Sequence, residues 1–271
     1  MDLIETFGAK IGALSEEKPQ RARQLLTAGF RANGVKNKLA SKRSSKSDRM
    51  LFQLVNRAMV TCLAKPQSNV MVSLFTPCEM LHLQGLHPYS CEGFSSYLSG
   101  AMAEQPFLHQ AEDTGIPNSL CSYHKVFIGA AQMGLMPKPR FILSTSLACD
   151  ANTLTFRHLA QFYDVPHFNV DIPFESSPQA VDYVAGQLRQ MGEFLTRQTG
   201  LPLDDGQLAR TVARSQRTMA LYHRGLRLRA GRQVLSDLTS ELLRTAAFHF
   251  LLGTPETEAY ARQLLREITT A

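Results

Sequence analysis

Three short apolar runs, each set off by a proline and followed by helix-patterned chain, constrain this sequence most. The first is Asn69-Val-Met-Val-Ser-Leu-Phe-Thr76, closed by Pro77. The second, residues 140–146, follows Pro137 and Pro139, and the third, residues 165–170, runs toward Pro173. Residues 86–90 can supply one more. Between them, residues 78–84 read as a short helix stopped by Gly85, and residues 93–104 and 151–163 as further helices. Strands that are apolar almost throughout, rather than alternating, have both faces covered. Alternation with helices then argues a parallel sheet.

The expected fold class is therefore α/β: a Rossmann-like, mostly parallel sheet of four to five strands with flanking helices. Outside residues 67–174 the texture differs. Residues 1–66 read as an N-terminal helical lead, with a turn at Lys18-Pro19. Leu51, Leu54, Val55, Met59 and Leu63 share one side of a helix. Residues 33–49, with Asn33-Gly34 and then Lys36, Lys38, Lys42, Arg43, Lys46 and Arg49 among serines, read as a surface loop or helix end. The same residues could serve an anionic cofactor tail. Residues 175–271 read as a helical subdomain. Val181, Val184, Leu188, Met191 and Leu195 lie near helical spacing, Gly200 is a stop, and Asp204 or Asp205 starts the next helix. Residues 235–252 and 255–268 complete a hairpin around Gly253.

Lys and Arg total 29 against 23 Asp and Glu, a net charge of +6. That excess favours anionic partners only weakly. Trp is absent and no aromatic cluster interleaves with the basic residues, so nucleic acid is not an expected partner. No apolar run approaches the roughly 20 residues that span a bilayer, and the first residues do not look like a secretion signal. The expectation is a soluble cytoplasmic protein with no membrane partner. Gly-x-Gly-x-x-Gly, the Walker loop, His-Glu-x-x-His, Cys-x-x-Cys and Gly-x-Ser-x-Gly are all missing, which weakens the cases for the enzymes they mark.

Five cysteines, an odd number in a long chain, argue against a secreted disulfide framework. Cys62 falls on the apolar side of a helix and reads as core. Cys121 precedes a helix that runs through Lys125 to Met133, and Cys149 stands between a strand end and the next helix. Ligands of open α/β sheets bind beyond the carboxyl ends of strands. A helix start also lowers a thiol's pKa. Two such thiols could hold one soft metal centre; on spacing alone, small packed hydrophobes are the default reading. His124 lies one turn from Cys121 but shows no ligand spacing with another histidine, and Lys125 and Arg157 read as solvated by default.

The chain from about residue 73 to 173 resembles the 2-hydroxyacyl-CoA dehydratase family, related to benzoyl-CoA reductase. The matching runs are Thr76-Pro-Cys-Glu-Met-Leu-His-Leu-Gln-Gly-Leu-His-Pro88, Leu120-Cys-Ser-Tyr, Cys149-Asp150 and His167-Phe-Asn-Val-Asp-Ile-Pro173. The following helices, with Asp182-Tyr183 and Thr199-Gly200, are similar too. The resemblance implies a [4Fe–4S] cluster held by three cysteines with one iron open to an acyl-CoA thioester. It implies an ATP-dependent activator protein that delivers one electron, and a ketyl radical anion from which the hydroxyl leaves. Cys121 and Cys149 match the first two cluster cysteines. Glu79 matches a carboxylate near the substrate with a plausible acid/base role; a helix-capping Glu is the alternative reading.

In that family the third cysteine comes from a second α/β domain beyond the helical part, and no cysteine follows Cys149 here. Either the sequence stops short of that domain, or the domain is a separate chain, or Cys91 or Cys78 takes the place. Cys91 follows a predicted strand and could face the same cleft or simply pack there. The expectation is an iron–sulfur subunit, or N-terminal portion, of a dehydratase-like lyase that works with a second subunit or as a homodimer. A related iron–sulfur reductase without acyl-CoA and a non-catalytic assembly partner are the alternatives. The acyl group is not legible.

Overall fold

The computed structural model describes residues 3–39, 45–147, 149–230 and 238–270. Three helices lead: α1 (Leu3–Glu17), α2 (Pro19–Leu39) and α3 (Lys46–Ala64). The alternating part follows as β1 (Asn69–Val72), α4 (Glu79–Leu83), β2 (His87–Ser90), α5 (Cys91–Gly100), α6 (Gln105–Asp113), α7 (Ser122–Gln132), β3 (Phe141–Thr145), α8 (Asp150–Tyr163) and β4 (His167–Val170). Four helices close it: α9 (Pro178–Thr199), α10 (Asp205–Arg229), α11 (Leu238–Phe250) and α12 (Pro255–Thr270).

The sheet has four strands, all parallel, in the order β2-β1-β3-β4. This bears out the expected α/β class. Strand order and handedness then fix where the helices go. A parallel crossover is right-handed almost without exception, so moving one way along the sheet uses one face and moving back uses the other. The step from β1 to β2 carries α4. The steps from β2 past β1 to β3, and from β3 to β4, run the opposite way and carry α5–α8. Accordingly Cys78 and Leu81 beside α4 join one core, and Phe94, Phe107, Phe127 and Phe156 of α5–α8 join the other.

Residue alternation divides the strands between these two cores. Met71 and Ile142 face the first, with α1, α2, the C-terminal end of α3 and α5–α8. Val70, Val72, Phe141, Leu143 and Val170 face the second, with α3, α4 and α9–α12. The central strands β1 and β3 are buried at every position, whereas β4 is half-buried along most of its length. That is why the first two read as continuous apolar runs.

Local chemistry sets the helix ends. Ser177 accepts from Ala180 N–H with Pro178 in the first turn, and Gly200, at φ 76°, stops α9. Asp204, rather than Asp205, caps α10 through Gln207 N–H. Two segments differ from expectation. The helix expected over residues 93–104 ends at Gly100, and a new one starts at Gln105 because Pro106 favours a first turn. Asn33-Gly34 lies inside α2 rather than in a turn. A Cβ built on Gly34 would sit 2.8 Å from Asn56 Nδ2 of α3, so close helix packing is what uses this glycine. Residues 40–44 of the Lys/Ser run, and residues 235–237 of the expected hairpin, lie outside the described residues.

Candidate functional site

The sheet order reverses between β1 and β3, so the crevice beyond their carboxyl ends is where an open α/β sheet places a ligand. Ser73, just past β1, ties the two strands together there. Its hydroxyl accepts from Thr145 N–H at 3.0 Å and lies 3.0 Å from Thr76 Oγ1. On the β2 side Glu92 is turned inward. Its carboxylate accepts from Leu74 N–H and from the Ser90 hydroxyl, both at 3.0 Å. Burial pushes this carboxyl up from the usual range, and those hydrogen bonds oppose the shift. Sequence reasoning missed Glu92. Its signal was a carboxylate in the first turn of a helix that starts directly from a strand.

Both cysteines singled out by sequence occupy N-cap positions at this edge: Cys121 on α7 and Cys149 on α8, neither with a side-chain capping bond. Cys149 is there because α8 springs from β3. Cys121 is there because α7 runs back toward the start of β3. Its first turn is fixed beside α5 by the Ser95 hydroxyl, which donates to Tyr123 C=O at 2.8 Å. Cys121 is exposed and Cys149 half-buried. The two helices pack side by side, with Phe127 and Phe156 centroids 5.7 Å apart.

Beside Cys149 stands His124, in the first turn of α7 and only 3% exposed. Its Nδ1 lies 2.9 Å from Thr155 Oγ1, and its Nε2 lies 3.9 Å from Cys149 Sγ. The histidine one turn from Cys121 in sequence therefore reaches the other cysteine in space. Burial lowers its pKa. Lys125 is not solvated: its ammonium meets Glu112 at 2.6 Å and donates to Asn118 C=O at 3.2 Å, anchoring the loop that carries Cys121.

The remaining sequence candidates lie elsewhere. Cys91 is fully buried in the first core with Cys62 and Tyr89, and burial raises its thiol well above the ordinary value. Cys78 is buried in the second core and donates to Thr76 C=O. Glu79 accepts from the Ser215 hydroxyl of α10 at 2.8 Å and packs against Gly253. It thus stands on the opposite face of the sheet from α7 and α8. Among the described residues no group of three or more His, Cys, Asp or Glu side chains could hold a metal ion. This chain offers two accessible thiols, not a closed ligand set.

Beyond β4, Asp171 organises the chain. It accepts from the hydroxyls of Ser146 at 2.9 Å and Tyr183 at 3.2 Å, and its backbone exchanges two bonds with the Gln187 amide. The Asp171-x-Pro173 run and Tyr183 thus belong to one junction between sheet and C-terminal helices.

A parallel sheet with an open reversal point, two N-cap cysteines beside it and a helical C-terminal third define a class, and comparison with known proteins agrees with it. Residues 73–271 match the family described as 2-hydroxyglutaryl-CoA dehydratase, D-component, and the chain belongs to that family. Among curated proteins it is similar to the (R)-phenyllactyl-CoA dehydratase alpha subunit of Clostridium sporogenes, 25% identical over 121 residues. That match covers 41% of this chain and 30% of the relative. No described helix is long and apolar enough to cross a membrane.

Proposed function

We propose that this chain is an iron–sulfur component of a 2-hydroxyacyl-CoA dehydratase, a lyase, with Cys121 and Cys149 holding part of a [4Fe–4S] cluster at the sheet's carboxyl edge. One observation carries the reading: two thiols sit at neighbouring helix starts, both reachable from solvent and neither spent on capping. A metal takes a cysteine as its thiolate, and that soft donor suits iron. The donor chemistry fits the cluster in part, as two of its three cysteines. Once bound, the cluster would supply one-electron reduction of the acyl-CoA and an open iron for the thioester.

The chain's own residues build the frame for this chemistry. Lys125 anchors the Cys121 loop, Ser73 holds the crevice between β1 and β3, and Glu92 fixes the β1 exit. Cys91, packed within the core, is a poorer third ligand than a cysteine brought by a partner subunit. Phe75, Tyr123 and Leu147, 37%, 42% and 42% exposed along this edge, offer such a partner an apolar seat. The partner is a second dehydratase subunit or another copy of this chain, and an ATP-dependent activator supplies the electron. Glu79, held by Ser215, would act as acid or base only if the partner completes the cleft on its side.

The test is anaerobic reconstitution with iron and sulfide, alone and with the partner subunit, followed by iron counts for wild type, Cys121→Ser and Cys149→Ser. Iron bound by wild type and lost in both variants supports the reading. Equal iron in all three, or none in any complex, sinks it. Light scattering on the same samples should show a species larger than one chain.

A further inference from the structure

We propose that His124 is a hydrogen-bond donor to the sulfur of Cys149, with the Thr155 hydroxyl locking the imidazole so that the proton sits on Nε2. His124 would then be a positioning residue for whatever Cys149 binds. That purpose rests on the cluster reading above; the donor geometry does not.

The argument starts from Thr155. Its side chain is 4% exposed, and among the described residues its hydroxyl has one partner, His124 Nδ1 at 2.9 Å. Elsewhere in this protein buried helical hydroxyls such as Thr218 and Ser15 donate back to a carbonyl one turn earlier. Thr155 has no such bond. If Nδ1 carried the proton, Thr155 would accept it and its own hydrogen would be buried without an acceptor, which costs the full desolvation of that donor. If Thr155 donates to a bare Nδ1, both groups are satisfied.

The proton then belongs to Nε2, and Nε2 faces Cys149 Sγ at 3.9 Å. That separation is long for a bond to a neutral thiol. Charge-assisted bonds are shorter, so the contact has room to tighten on a metal-bound sulfur. The ring cannot easily turn away, because its face packs on Phe127 with centroids 5.1 Å apart. The arrangement repeats a general feature of metal sites, in which a fixed outer donor orients a ligand and withdraws charge from it. Of the two cysteines, only Cys149 has such a donor among the described residues. The two sulfurs are therefore unequal: Cys121 is exposed and Cys149 is held.

The proposal is tested first without any metal, in the full chain labelled with 15N-histidine. Long-range proton–nitrogen spectra at neutral pH should show one ring as the neutral Nε2–H tautomer, assigned by its loss in His124→Leu. Its Nε2 signal should shift in Cys149→Ala and not in Cys121→Ala. Thr155→Val, nearly isosteric, should release the lock and populate Nδ1–H; it also provides the assignment if His124→Leu fails to fold. A wild-type ring protonated on Nδ1, or an Nε2 signal indifferent to Cys149→Ala, overturns the proposal. The second arm uses iron-loaded protein. His124→Leu should make the cluster's reduction potential more negative, and His124→Gln, which keeps an N–H donor, should restore it. Equal shifts in both variants, or no shift in either, would reduce His124 to packing. Failure of wild type to bind iron refutes the cluster reading alone, since the first arm judges the contact without it.

Discussion

Gly129 lies in the middle of α7, where a residue without a side chain ordinarily weakens a helix. The reason it is needed is α6. A Cβ built on Gly129 would lie 1.9 Å from Phe107 C=O oxygen, 2.7 Å from its carbon and 2.9 Å from its Cα. These are backbone atoms, so no side chain can swing aside. Reaching the 3.4 Å at which contact becomes ordinary requires the helices to part by about 1.5 Å. Phe107 and Phe127 are both fully buried, so that parting would open the first core. Overpacking of this kind costs about 3 kcal/mol or more, against about 1 kcal/mol gained from alanine's helix propensity. Gly129→Ala should therefore lose about 2–3 kcal/mol. At roughly 2–4 °C per kcal/mol for a chain near this size, the melting temperature should fall by about 4–12 °C. Gly186→Ala in α9 is the control, since no atom lies within 4 Å of its built Cβ, and it should gain about 0.5–1 kcal/mol. Both values come from urea denaturation, with calorimetry for the melting points. The reasoning is refuted if the two variants shift in the same direction.

Two further predictions concern charge. Lys125→Met leaves Glu112 and Asn118 C=O without their shared partner, and with Glu112 still 30% exposed it should cost about 2 kcal/mol. An unchanged denaturation midpoint would show that the pair contributes nothing. His167 is held down to about 4 by burial and by the nearby charge of Arg157, with its Nε2 2.8 Å from Ser144 Oγ. The folded ring binds a proton less readily than an unfolded ring near 6.5. Its contribution is thus complete above about pH 6.5 and is lost as the pH falls toward 4. The rings of buried His124 and of partly buried His82, His87 and His249 are shifted the same way and add to the slope. Stability measured from pH 7 to 4 should decline less steeply in His167→Gln; an identical slope would refute the assignment.

The sheet was legible because β1 and β3 are covered on both sides, which leaves an unbroken apolar signature. Strand order was not, because nothing local in residues 86–90 says that β2 lies beside β1 on the outer flank. Cys121 and Cys149 could be placed at helix starts from the breakers around them. What could not be read was which side chain meets which. His124 is one turn from Cys121 along the helix, yet the packing of α7 on α8 gives it to Cys149. Lys125 looked free because its partner, Glu112, belongs to α6, a helix to which the sequence reading assigned no element. The inward turn of Glu92 depends on the exit path of β1, a tertiary fact with no sequence period.

The second core joins the chain's early and late segments. Ser47 at the start of α3 is held by Glu267 of α12, 220 positions later, and Tyr260, Ala261 and Leu264 of α12, which packs on α3 and α10, join the core that lies against the sheet face of Val70, Val72, Phe141 and Leu143. On the ribosome the four strands are complete by Val170, while Leu264 is still about ninety residues from being made. At roughly 5–20 residues per second that interval is about 5–20 s. For that time the second core lacks its last helix, and the faces of α3 and α10 that α12 will cover stay open. Newly made molecules therefore compete between waiting for α12 and sticking to one another, and the yield of folded protein depends on how crowded with its own nascent copies the cell is.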